Sequence, residues 1–168
     1  MNIILAGMPA SGKTTVSALL GAALGRKVID TDALIVEEHG EITQIFARYG
    51  EEYFRDLETE AVKKASSAEN AVISTGGGCF LRENNALLFK RSGRIIYLKT
   101  SLKTLVSRTV GDTTRPLLAG GAEERIEKLL AERRTVYESC ADYTVTTDGK
   151  TAEEVAAEIV GLTGEFLQ

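Results

Sequence analysis

The stretch "NIILAGMPASGKTT", residues 2–15, decides the fold. Its first five residues, four of them apolar, are a short run of the kind a buried parallel strand needs. Then "GMPASGKT", Gly7 to Thr14, fits G-x-x-x-x-G-K-[ST]. A helical pattern follows from Lys13 to Leu24 and stops at Gly25. A strand before and a helix after are the context that turns this pattern into a phosphate loop. Backbone N–H groups of such a loop wrap a phosphate, and the helix N-terminus adds partial positive charge. Ala10, Ser11, Gly12, Lys13, Thr14 and Thr15 are the nucleotide-binding candidates. Lys13 is expected to reach the β- and γ-phosphates, and the Thr14 hydroxyl to ligate Mg²⁺. Ala10 stands where many such loops carry glycine, so its backbone has less freedom.

Working outward, strand-like and helix-like segments alternate. Further strands are expected at 27–30 ("KVID"), 71–75 ("AVIST"), 94–98 ("RIIYL") and 143–147 ("YTVTT"). Helical patterns cover 33–39, 42–49, 51–66, 83–91, about 101–110 with Ser101 as cap, 122–140 and 152–162. Strands separated by helices imply parallel pairing in a layered α/β fold. The helical stretch at about 32–66 is longer than one crossover needs and reads as an insertion over a binding site. Residues 111–121, "GDTTRPLLAGG", read as an exposed loop.

The chain has 168 residues, 43% apolar and 26% charged, which suits one soluble domain. Its net charge of −4 and lack of a basic tract argue against a nucleic-acid partner. No apolar run reaches membrane-span length, and residues 1–15 lack a signal peptide's basic flank, so a cytosolic protein is expected. Cys79 and Cys140 lack metal-ligand spacing and are expected to be small buried residues. His39 is expected at the surface.

A phosphate loop does not fix the task. The N-K-x-D motif of guanine-binding switches is absent, and a motor ATPase needs more chain; a small kinase remains. "IDTD", 29–32, ends the second strand, and in an extended segment Asp30 and Asp32 point to one side. One carboxylate would hold a Mg²⁺ water and the other would take a substrate hydroxyl proton. The competing reading makes Asp32 the N-cap of the following helix. Arg55 and Glu58 lie one helical turn apart, ordinarily a surface ion pair. Arg115 sits in the 111–121 loop, where it could meet transferring phosphates, and Arg133 and Arg134 are adjacent on a helix. Spacing alone leaves open which arginines converge. "STGGGCF", 74–80, leaves a strand through three bare residues, so a ligand or backbone must come close there.

Together, "GMPASGKTT", "IDTDALIVEEHGEITQIFARYGEEYFRDLE", "VISTGGG", "SRTVGDTTRPLLAG" and "ERRTVYESCAD" closely resemble the shikimate kinase family over nearly the whole chain. The resemblance implies a three-layer P-loop kinase fold with a five-stranded parallel sheet, a helical substrate-binding insertion and a lid at about 110–122. It implies transfer of the γ-phosphoryl group of ATP to the 3-hydroxyl of shikimate in aromatic amino acid biosynthesis, with Mg²⁺, in a monomer. It implies that Arg55 and Arg133 grip the shikimate carboxylate, that Asp32 holds the ring hydroxyls and acts as base, and that Glu58 positions Arg55. Asp30 would sit in the outer shell of Mg²⁺. Gly76, Gly77 and Gly78 would line the substrate, one backbone N–H reaching a hydroxyl or Asp32. Arg115 would come onto the phosphates, Arg108 would flank adenine, and Lys13 would steady the phosphoryl group. Two stretches depart from the family pattern. R-R-T-V-Y replaces R-x-P-L-Y, so Thr135 stands for proline, and Arg133 is chosen because it precedes Tyr137 by four. "TTDGKTAEE" after the last strand offers Lys150 but neither arginine nor proline for adenine.

Overall fold

The structure, a computed structural model, describes residues 1–110 and 121–164. Five strands form one parallel sheet: β1 (Asn2–Ala6), β2 (Val28–Asp30), β3 (Val72–Ser74), β4 (Gly93–Lys99) and β5 (Tyr143–Thr146). Their spatial order is β2-β3-β1-β4-β5, so the N-terminal strand lies in the centre. Around them pack α1 (Lys13–Leu24), α2 (Thr31–His39), α3 (Ile42–Ser66), α4 (Glu83–Ser92), α5 (Leu102–Val110), α6 (Ala122–Cys140) and α7 (Ala152–Gly164).

The two-residue period of a strand builds three layers from this order. Ile3 and Leu5 face Val16 and Leu20 of α1 and Val155 and Ile159 of α7. Ile4 and Ala6 face the opposite way, onto Val62 of α3, Phe89 of α4, Leu105 of α5 and Leu130 of α6. β4 repeats the alternation, with Ile96 and Leu98 on the first face and Ile95 and Tyr97 on the second. Every residue of β1 is buried, which is why Ile3 to Ala6 are continuously apolar rather than alternating, while the buried Asn2 side chain bonds to the backbone of Ala68 and Ala71. A smaller core of Ile35, Ile45, Phe54, Leu57 and Ala61 joins α2 to α3 and gives the insertion its own packing.

Some boundaries differ from those expected. The segments 42–49 and 51–66 form one element, α3, interrupted at Gly50, whose φ of 82° is left-handed. α2 begins at Thr31 rather than Ala33, because Asp30 caps it: its Oδ1 accepts from Asp32 N (2.9 Å) and Ala33 N (3.1 Å). This overturns the N-cap reading of Asp32. It also overturns the picture of both carboxylates on one extended segment, since Asp32 stands in the first turn of α2. Because all five strands run parallel, the loops after them gather at one edge of the sheet, the usual ligand edge of such folds.

Candidate active site

The nucleotide side is built almost wholly from one contiguous loop. Lys13 is buried, and its Nζ donates to the carbonyls of Gly7 and Met8, each at 2.8 Å. Burial lowers its pKa to about 8, partly offset by the carboxylates of Asp32 and Asp30. Gly7 and Gly12 both have positive φ, and a Cβ on Gly7 would come within 2.9 Å of Ser11 Oγ. Ala10 adopts φ 66°, so a residue with a Cβ holds a left-handed conformation in the loop. Arg108 of α5 crosses over the loop, its Nη1 donating to Ala10 O at 3.1 Å. Beside it opens a cleft of about 300 Å³ lined by Ala10, Gly12, Thr15, Arg108, Thr147 and Lys150 among others. Ser11 is buried, whereas Thr14 and Thr15 are exposed at the loop's mouth.

A second cluster is assembled from four distant segments that meet at the three glycines. A Cβ on Gly76 would overlap the Asp32 carboxylate. A Cβ on Gly77 would stand 3.0 Å from Arg133 Nη1 and 3.0 Å from Pro9 Cδ. A Cβ on Gly78 would overlap the guanidinium of Arg55. Each glycine thus admits a different charged side chain to the backbone, and the bare run has its physical reason. Arg134 is exposed, so it is Arg133 that reaches this loop.

Arg55 and Glu58 are not a surface pair, for both are buried, with Glu58 only 2% exposed. Arg55 Nη1 contacts Glu58 Oε2, and Nη2 donates to Glu51 Oε1 at 3.1 Å. Burial pulls the Arg55 pKa down, but the hydrogen bonds and charges of Glu58 and Glu51 outweigh it and hold it above the usual value. Asp32 behaves differently. Burial, then the nearby carboxylates of Asp30 and Glu58, push its pKa up to about 6, against the pull of Lys13 and Arg55. A carboxylate at that value takes a proton readily near neutral pH.

The Gly76 N–H donates to Thr31 Oγ1 at 2.9 Å. Thr31 is one residue that sequence reasoning passed over. Tyr137 is another: its hydroxyl donates to Gly77 O at 2.5 Å, and burial raises its pKa to about 12. Its place one helical turn after Arg133 was the available signal. Cys79 is wholly buried, its thiol 3.6 Å from Thr31 Oγ1 and 3.8 Å from Glu58 Oε1. Burial first, then Glu58, raises that thiol well above its usual pKa, so it packs as a neutral group. At the far end of the glycine loop, Arg82 Nη1 donates to Asp56 Oδ1 at 2.7 Å and ties the loop to α3.

Among the described residues no cluster of three or more His, Cys, Asp or Glu has a metal-cage arrangement. The oxygen donors at the phosphate loop suit a Mg²⁺ that keeps most of its water. Thr14 is exposed, and both backbone donors to Asp30 use Oδ1, leaving Oδ2 to turn elsewhere. Arg115, and all of the 110–122 segment except its ends, lie outside the described residues.

Residues 9–163 match the shikimate kinase family. A shikimate kinase of Geobacter metallireducens is 43% identical over 95% of this chain and 90% of its own. In three dimensions the chain resembles shikimate kinase from Acinetobacter baumannii in complex with shikimate, with TM-score 0.91 and 35% identity over 98% of this chain and 93% of that one. Shikimate kinase from Aquifex aeolicus matches with TM-score 0.85 and 38% identity over 99% of both chains.

Proposed function

This chain belongs to the shikimate kinase family, and on that premise we propose how its residues move the γ-phosphoryl group of ATP to the 3-hydroxyl of shikimate. The observation that carries the reading is the meeting of Asp32, Arg133 and Arg55 at Gly76, Gly77 and Gly78, beside a buried phosphate-loop lysine. The planar forks of Arg55 and Arg133 suit a substrate carboxylate. Glu58 and Glu51 hold the Arg55 fork in place before substrate arrives. The glycine backbone packs against the ring, where a side chain would intrude.

Asp32 takes the proton of the 3-hydroxyl as its oxygen bonds to the γ-phosphorus. The bond from that phosphorus to the β–γ bridging oxygen breaks, and ADP leaves. Lys13 exchanges its loop carbonyls for phosphate oxygens and balances charge on the phosphoryl group in flight. Thr14 and, through water, Asp30 would hold a Mg²⁺, which would supply further charge neutralisation at the phosphates. Arg108 and the 147–151 loop take the base, and Arg115 approaches the phosphates from the 110–122 lid. We assign the acceptor-binding role to the 32–66 insertion, and we place the enzyme in the cytoplasm as a monomer without nucleic-acid or membrane partners. Among the described residues no helix is long and apolar enough to cross a membrane. The test is ADP release from ATP and Mg²⁺ with and without shikimate. Strong stimulation by shikimate is expected; an identical rate without it would overturn the assignment.

A further inference from the structure

The base side of the nucleotide cleft has two walls that come from distant parts of the chain. One is α5, which carries Arg108; the other is the loop after β5, with Thr147 and Lys150. A side chain that does not line this cleft bridges the two walls. Asp148 Oδ1 accepts from Ser101 Oγ at 2.6 Å and Thr104 Oγ1 at 2.5 Å, and its Oδ2 accepts from Ser101 N at 3.0 Å. Ser101, expected to cap α5, accepts from Thr104 N at 3.3 Å. Its own N–H and hydroxyl are both given to Asp148, across 47 residues of sequence. Those donors hold the Asp148 carboxyl below its usual pKa, and a negative charge at a helix N-terminus is favourable.

Further hydrogen bonds lie at this junction. Thr147 Oγ1 meets Thr100 Oγ1 at 2.7 Å in the buried interior, and Lys150 Nζ donates to Glu158 Oε2 at 2.6 Å. At the other end of α5, Arg108 is fixed to Ala10 O of the phosphate loop. α5 is therefore a strut, pinned at one end to the post-β5 loop and at the other to the loop that holds phosphate.

We propose that Asp148 is a positioning residue that sets the width of the base-binding cleft, by locking the start of α5 to the loop after β5. This rests on the reading that the cleft takes the base of ATP. An ordinary solvated cap would affect stability alone, whereas a spacer affects the base and spares the phosphates.

The experiment compares Asp148→Ala, Asp148→Asn and Arg108→Ala in steady-state kinetics, with ADP and inorganic tripolyphosphate as inhibitors. Asp148→Ala is expected to raise KM for ATP and Ki for ADP about tenfold, with KM for shikimate and Ki for tripolyphosphate within about twofold. Tripolyphosphate has no base and needs only the phosphate loop, so it separates a widened cleft from a general loss of structure. Asp148→Asn keeps an acceptor oxygen and is expected to recover to within about threefold of the parent. Equal weakening of ADP and tripolyphosphate, or a lower Tm with KM for ATP unchanged, would overturn the proposal. An unchanged ADP Ki in Arg108→Ala would instead remove the reading of the cleft beneath it. A raised ADP Ki in Arg108→Ala with none in Asp148→Ala would remove the spacer role alone.

Discussion

The two halves of the site are built on opposite plans. The phosphate end is one loop whose lysine is already bonded to its own carbonyls, so a few adjacent residues fold into a cradle. The end we assign to the acceptor takes Asp32 from α2, Arg55 and Glu58 from α3, the glycines from the loop after β3 and Arg133 from α6. The first depends on local backbone geometry, the second on the sheet bringing remote segments to one edge. Damage at the first should therefore fall on one backbone turn, and damage at the second on the meeting of charged side chains.

The sharpest way to break this division is at Asp32, where the two ends meet. Asp32→Asn is expected to lower kcat by about 10²–10⁴-fold while leaving the affinity for ADP within about threefold. Near-normal turnover would remove the base from the mechanism. Next in size is Gly78→Val, whose side chain would displace the Arg55 guanidinium. KM for shikimate should rise by at least about tenfold with KM for ATP little changed, a loss of about 1.4 kcal/mol or more in acceptor binding. A parallel rise in both KM values would show that the halves are not separable.

The pH profile gives a third test. With the Asp32 pKa raised to about 6, kcat/KM for shikimate should climb through that pH as the carboxylate forms. The same shift costs stability. The folded state holds the proton more tightly than the unfolded chain, whose value is near 3.8, so stability falls as pH rises from about 4 to 6 and stays lowered above that. Asp32→Asn should therefore be more stable than the parent at pH 7.5, by on the order of 2 kcal/mol, with the gap closing below pH 4. Denaturant melts at both pH values measure this, and a gap independent of pH would count against a raised pKa. The smallest effect is at Ala10. Ala10→Gly relieves its positive φ and should change stability by no more than about 1 kcal/mol, with activity within about twofold. A large loss of activity would mean that the phosphate loop depends on more than backbone geometry.

The same division explains what could be read without coordinates. The phosphate loop was legible because its residues are neighbours in sequence as well as in space. The five strands and most helices were legible from apolar runs and glycine stops. At the acceptor end, residue types and the family resemblance pointed to Asp32, Arg55, Glu58 and Arg133, but their meeting depends on strand order, which no local pattern contains. Asp32 was misplaced because cap geometry and strand alternation make the same D-x-D look alike, and the cap lies two residues earlier, at Asp30. Asp148 left no signal, since its partners Ser101 and Thr104 are more than forty residues away.

The central place of β1 has a consequence for synthesis. Residues 2–6 leave the ribosome well before their partners on the two sides, 72–74 and 93–97, which follow about 70 and 90 residues later. Until then a largely apolar strand has both hydrogen-bonding edges open, which is the situation that invites wrong pairings in a growing chain. The nascent polypeptide thus carries its catalytic cradle long before it has a sheet to mount it on, and protection of that first strand, by the emerging α1 or by a chaperone, is a requirement of the topology.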